Sequence, residues 1–132
     1  MDSLILQAVV RVLAAALTGQ PLLRWDDLGD DQYLLRFASA RADNLKISLR
    51  PPHPYLVRLP PRARITTHSP NPFAARAHQE LEGALLRRVR PHGLDRVVTL
   101  EWETPASQTR QVVIELIGKS ANVVLLDAEV GA

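Results

Sequence analysis

The sequence predicts an α+β fold dominated by β structure, an antiparallel β-sandwich with two helices. Three observations predict it. Apolar and polar residues alternate over short segments instead of filling long apolar runs, the pattern of sheets with one wet face. Two other segments carry helical spacing, each preceded by a residue suited to cap it. Their order is helix, four strands, loop, helix, four strands, with no residue-level repeat between the halves. Such strands are buried when two sheets pack face to face, with the helices at an edge or end.

Asp2 or Ser3 caps the first helix, where Ile5, Ala8, Val9, Val12, Leu13 and Ala16 recur on one face while Gln7, Arg11 and Thr18 look away. Gly19 closes it. After Pro21 the period drops to two, and Leu22 to Leu28 pairs with the alternation of Tyr33, Leu35 and Phe37 around a turn at Gly29-Asp30-Asp31. Asn44 to Arg50, with Leu45, Ile47 and Leu49 on one side, and Tyr55 to Leu59 beyond Pro51-Pro52-His53-Pro54 continue the meander. Pro60 to Asn71 is a surface loop, because successive prolines cannot serve a sheet ladder.

Asn71 suits the cap of the second helix and Pro72 its first position. Phe73, Ala77, Leu81, Ala84 and Leu85 share its buried face, and Gly83 weakens it near the end. Strands follow over about Leu86 to Arg90, Val97 to Glu103, Gln111 to Ile117 and Asn122 to Leu126. The third of these alternates Val112, Ile114 and Leu116 inward.

At 132 residues the chain fits a single domain, 1–132, and burial of roughly two thirds of the extended-chain surface is expected at this size. With no cysteine, disulfides, thiolate metal sites and a cysteine nucleophile are excluded, and the cytoplasm is the expected compartment. His53, His68, His78 and His92 have no metal-ligand spacing, so no metal is expected and they read as surface or turn histidines. The N-terminus lacks the basic segment of a signal peptide, and no run reaches the roughly 18 apolar residues of a membrane span. A net charge of +2 does not by itself argue for a polyanion partner. Its distribution is more telling, since Arg50, Arg58, Arg62, Arg64, Arg76, Arg87, Arg88, Arg90 and Arg96 face only Glu80, Glu82 and Asp95 in the middle of the chain.

No cofactor or catalytic centre is expected. Gly118-Lys119-Ser120 ends like a phosphate-binding loop but lacks the upstream glycine spacing and the following helix, so it reads as a turn. The serines have no histidine at a recognisable offset, and Glu101 and Glu103 share the wet side of one strand. Gly93-Leu94-Asp95-Arg96, directly before the strand from Val97, is more informative. Neighbouring strand residues point to opposite faces, so Asp95 and Arg96 cannot satisfy each other. Either Asp95 caps a turn and Arg96 pairs with another carboxylate, or the two form a binding pair; Arg96 shares the parity of the inward Val98, Leu100 and Trp102.

Four blocks of the chain resemble the NFACT family, whose N-terminal domain was long labelled fibronectin-binding protein A. They are Met1 to Arg11; Ser69-Pro70-Asn71-Pro72-Phe73 with Leu81-Glu82-Gly83-Ala84; Gly93 to Val98; and Glu115 to Asp127. The resemblance implies the N-terminal part of an NFACT N-terminal domain, truncated here: family members continue past the position of Ala132 through helix-hairpin-helix, coiled-coil and further RNA-binding segments. A fragment or a naturally shortened paralogue reads this way.

By the same resemblance the fold is similar to the N-terminal domain of formamidopyrimidine-type DNA glycosylases. The implied function is ribosome-associated quality control: binding of large ribosomal subunits obstructed by peptidyl-tRNA, recruitment of tRNA, and template-free C-terminal tailing, in bacteria mainly with alanine and alanine-specific tRNA. The pair implied to hold tRNA is Asp95 and Arg96. Arg62, Arg64, Arg87, Arg88, Arg90 and Lys119 are candidate RNA-backbone contacts. Two alternatives are a glycosylase-like DNA-binding domain and a fibronectin-binding adhesin. The glycosylases use an N-terminal proline amine followed by glutamate, whereas this chain opens Met1-Asp2-Ser3, so lesion excision is not expected.

Overall fold

Asp2 caps the first helix, α1 (Ser3–Leu17), by accepting the Ile5 N–H at 2.8 Å. A computed structural model describes residues 1–39, 41–61, 63–93 and 95–127. Leu6, Val10, Leu13 and Leu17 form the buried face of α1, while Ile5 and Val12 are 53% and 47% exposed. The face expected from spacing is therefore rotated by about one residue. The helix is apolar almost all round, so periodicity alone does not choose the side that packs.

Strands β1 (Leu22–Gly29), β2 (Gln32–Phe37), β3 (Asn44–Ser48) and β4 (Tyr55–Leu59) form an antiparallel sheet in that order. Its register aligns Trp25, Leu35 and Leu45 on one face, and Tyr33 with Ile47 and Leu56 beside them. The β1–β2 turn holds Asp30 and Asp31 at φ 53° and 58°, the left-handed pair of a two-residue hairpin that aspartate tolerates. β3 stops at Ser48, short of the Arg50 expected, and the chain turns at Pro51 and Pro52.

The second helix, α2 (Pro72–Leu81), begins as expected, with Asn71 Oδ1 accepting the Ala74 N–H at 2.8 Å and proline in the first turn. Its end differs from the sequence reading. Ala84 and Leu85 lie beyond the helix, and Gly83 at φ +79° donates its N–H to the Leu22 carbonyl at 2.8 Å. Gly83 thus turns the chain toward the next strand instead of weakening a helix that contains it.

Strands β5 (Leu85–Pro91), β6 (Val97–Glu103), β7 (Thr109–Glu115) and β8 (Asn122–Asp127) form a second antiparallel sheet in sequence order. β7 starts and ends two residues earlier than expected; its last turn gives way to Leu116, Ile117 and a 3₁₀ turn over Gly118–Ser120. The sheets are stitched where β1 and β5 begin. There Leu22 N–H meets Ala84 O at 2.9 Å, Leu86 N–H meets Gln20 O at 3.1 Å and Gly19 N–H meets Leu86 O at 2.7 Å.

One apolar cluster runs through both sheets and both helices. Trp102 of β6, fully buried, stacks on Phe37 of β2 at a centroid distance of 6.1 Å and an interplanar angle of 12°. Phe73 packs edge to face on both Trp25 and Tyr33, which are tilted against each other, and the three seat α2 on the first sheet. The class is the α+β, β-dominated one expected, with two helices and two four-stranded antiparallel sheets.

Candidate nucleic-acid interface

The β5–β6 connection is shaped by its own backbone. His92 N–H bonds to Val97 O at 3.1 Å, and inside that pair Asp95 N–H bonds to His92 O at 3.0 Å. Gly93 enters this turn at φ +57°, with open space where a Cβ would stand. Glycine is needed there for its conformation and not for room. On the far side the Arg96 carbonyl accepts the Leu116 N–H at 2.7 Å, which ties the exit of the turn to the end of β7.

Two side chains brace the turn. Gln7 of α1 donates from Nε2 to the Gly93 carbonyl at 2.8 Å. His92 Nε2 lies 2.6 Å from Oγ1 of Thr99, which is 2% exposed. Neither contact is expected from the sequence: Gln7 is expected to look away, and His92, exposed beside the turn as a surface or turn histidine should be, gives no sign of its bond to Thr99. The only sequence signal was a lone amide in an apolar stretch, Leu4-Ile5-Leu6-Gln7-Ala8-Val9-Val10.

Asp95 is exposed and Arg96 partly buried. Among the described residues neither side chain makes a hydrogen bond or an ion pair. The Asp95 backbone, not its carboxylate, closes the turn, and among the described residues no acid holds the Arg96 guanidinium. β6 begins at Val97, one residue past Arg96, so the arginine stands at the strand mouth ahead of the inward Val98 and Leu100. Leu94 and Arg62 lie outside the described residues.

The remaining cations separate into engaged and free. Arg87 is held by Glu103 at 2.8 Å and Arg90 by Glu101 at 3.7 Å. The register sets Glu101 opposite Arg88 and Glu103 opposite Leu85, so both ion pairs run diagonally between β5 and β6, and Glu101 and Glu103 do more than face solvent. Arg64, Arg88 and Lys119 are exposed and unpaired among the described residues. Lys119, in the 3₁₀ turn just after Leu116, shares one end of the second sheet with Arg96. Arg87 lies toward the other end of β5, and Arg64 sits in the loop after β4.

A concavity of about 300 Å³ lies between the edge of β1, the 67–70 loop and α2. Its charged groups are occupied in holding the chain together. Asp27, 6% exposed, accepts Gly29 N–H at 2.8 Å and Asn71 N–H at 2.9 Å. Asp26 Oδ2 is shared by Arg24 at 3.1 Å and Arg36 at 2.7 Å. His78 accepts the Trp25 N–H at Nδ1, 3.3 Å away, and meets Glu82 at Nε2, 2.7 Å away. His78 is therefore a strut between α2 and β1, not a free surface histidine. Nearby, burial raises the Tyr33 hydroxyl above its ordinary pKa although Asn71 donates to it at 2.9 Å. Among the described residues no cluster of three or more acidic or histidine side chains could hold a metal, and no helix is long and apolar enough to cross a membrane.

Solved structures share this fold. The chain superposes on the N-terminal domain of fibronectin-binding protein PavA from Streptococcus pneumoniae with a TM-score of 0.85 at 20% identity, covering 96% of this chain and 49% of that one. The N-terminal part of the fibronectin/fibrinogen-binding protein from Streptococcus suis gives 0.86 at 20% identity, with 96% and 49% covered. The fibrinogen-binding protein from Staphylococcus aureus gives 0.80 at 23% identity, with 96% and 46% covered. The chain thus spans about half the length of the structures it resembles. No curated protein matches it in sequence. Residues 2–131 match the family model of the NFACT N-terminal and middle domains, and the chain belongs to that family.

Proposed function

We propose that this chain is an RNA-binding module without its own catalytic centre, working in the cytoplasm. It recruits tRNA to large ribosomal subunits obstructed by peptidyl-tRNA, in ribosome-associated quality control and C-terminal tailing, with alanine-specific tRNA in a bacterial setting. One observation carries the reading: Asp95 and Arg96 stand side by side on a braced turn with no internal partner among the described residues. RNA is read through splayed bases, sugar hydroxyls and flanking phosphates. An arginine fork engages phosphate or a guanine edge. A carboxylate repels phosphate and accepts from an exocyclic amine or a ribose hydroxyl, so Asp95 takes base or sugar and Arg96 donates. Lys119, at the same end of the sheet, adds backbone attraction. The test is tRNA binding by Asp95→Ala and Arg96→Ala chains with thermal melts alongside; wild-type binding by both overturns the site.

The names of the neighbouring proteins favour a second reading, attachment to fibronectin or fibrinogen. Binding of the chain to immobilised fibronectin, measured against an unrelated β-sandwich, decides it. A glycosylase-like role on DNA is checked by incubation with abasic or oxidised-base duplexes, where strand scission would contradict a pure binding module.

A further inference from the structure

We infer that Gln7 is a positioning residue for the Asp95–Arg96 pair, an inference that rests on the tRNA reading of that pair. The Gln7 amide reaches from α1 to the Gly93 carbonyl at 2.8 Å across a separation of 86 residues. That carbonyl is the part of the turn whose direction glycine leaves open. When the first central residue of a tight turn has positive φ, as Gly93 does at +57°, the I′ and II′ forms differ mainly in which way its carbonyl points. A glycine does not choose between them by itself. A donor on a fixed helix does, and α1 is fixed on both sides of Gln7, because Leu6 and Val10 are 1% and 3% exposed.

The His92–Thr99 contact of 2.6 Å and the Leu116–Arg96 bond of 2.7 Å hold the two ends of the loop. Gln7 holds its middle. Together they fix the residues on either side of the Asp95–Arg96 pair, and so the side on which these two, unpartnered among the described residues, are presented. Preorganisation of this kind lowers the ordering cost of binding without adding a contact to the ligand.

The experiment measures binding of unfractionated tRNA to the full 132-residue chain. Gln7→Ala and Gln7→Glu, neither of which can donate, should bind up to about fivefold more weakly, the factor associated with one neutral hydrogen bond, with a melting temperature lowered by no more than that one bond accounts for. Gln7→His, which donates from Nε2 at similar reach, should bind as wild type. In an Asp95→Ala/Arg96→Ala background Gln7→Ala should add nothing. Wild-type binding by Gln7→Ala overturns the inference, as does an equal loss in that background or a lowered melting temperature that Gln7→His leaves unrestored. If instead Asp95→Ala and Arg96→Ala bind as wild type, the site reading fails separately. Amide exchange at Asp95 then still judges the brace: faster exchange in Gln7→Ala supports it and unchanged exchange overturns it.

Discussion

Asp27, nearly buried on β1, accepts the backbone N–H of Asn71, the residue that caps α2, at 2.9 Å. The same carboxylate takes the Gly29 N–H at 2.8 Å, and the Asp27 carbonyl takes the His68 N–H at 2.8 Å. One strand residue thereby fixes a hairpin turn, the end of a long loop and the start of a helix. Asp27→Ala leaves two shielded N–H groups without their charged acceptor and should cost about 3 kcal/mol, read as a lower urea midpoint at an unchanged slope. A loss under about 0.5 kcal/mol, the range of ordinary surface changes, contradicts this role.

Asn71 adds a cap to α2 and a bond to Tyr33. Asn71→Ala should cost about 1–2 kcal/mol, while Asn71→Asp, which keeps the cap acceptor but cannot donate to Tyr33, should lose less. Equal losses in denaturant titrations would show that the Tyr33 bond dominates.

Two turn glycines separate strain from space. Gly93→Ala meets open space, so only its φ of +57° is penalised, roughly 1–2 kcal/mol. Gly29→Ala carries the same kind of strain at φ +81°, and its Cβ would also stand 3.0 Å from His68 Nε2. Thermal melts should rank Gly29→Ala clearly below Gly93→Ala. The reverse order would mean that the His68 ring moves aside without cost.

The Tyr33 hydroxyl has its pKa raised from 10.0, chiefly by burial. In this range the folded chain holds a proton that the unfolded chain releases, so stability falls as pH rises. The contribution is complete below about pH 10, the unfolded value, and is lost as pH climbs toward the folded one. Tyr33→Phe should flatten the alkaline limb of a stability profile; an unchanged limb contradicts the assignment.

Trp102 ties the sheets together against Phe37. Trp102→Ala should cost about 3–5 kcal/mol, a large share of an ordinary total stability of about 5–15 kcal/mol, read as a much lower melting temperature. Near-native far-UV circular dichroism with an unchanged melting temperature would rule out this role.

Arg88 is exposed and unpaired, whereas Arg87 is held by Glu103. If the exposed cations meet RNA phosphates, Arg88→Ala should lower the salt slope of tRNA binding by about one, and Arg87→Ala by less. Equal slopes for both variants would remove Arg88 from the interface.

Much of the architecture follows from local chemistry. Asp2 and the Asn71-Pro72 pair mark helix starts because their side chains satisfy the first free N–H groups. Alternation of Val98, Leu100 and Trp102 with Thr99, Glu101 and Glu103 marks β6, although Thr99 is buried as well. Reading failed where a local pattern was degenerate. Ile5 and Leu6 are equally apolar, and only the surface available to α1 decides that Leu6 is buried. Gly83 sits at a helix end or inside it depending on whether its N–H finds Leu22 across the fold.

The candidate site divides in the same way. Adjacency of Asp95 and Arg96 at a strand mouth, and hence their inability to pair with each other, is a property of the sequence. Only the tertiary structure decided which charges were already used: Glu103 and Glu101 reach Arg87 and Arg90 diagonally across the β5–β6 pair, and among the described residues no acid is brought to Arg96. It also decided that Gln7 grips Gly93, since a hydrogen bond spanning 86 residues depends on how α1 packs and leaves no trace in local spacing.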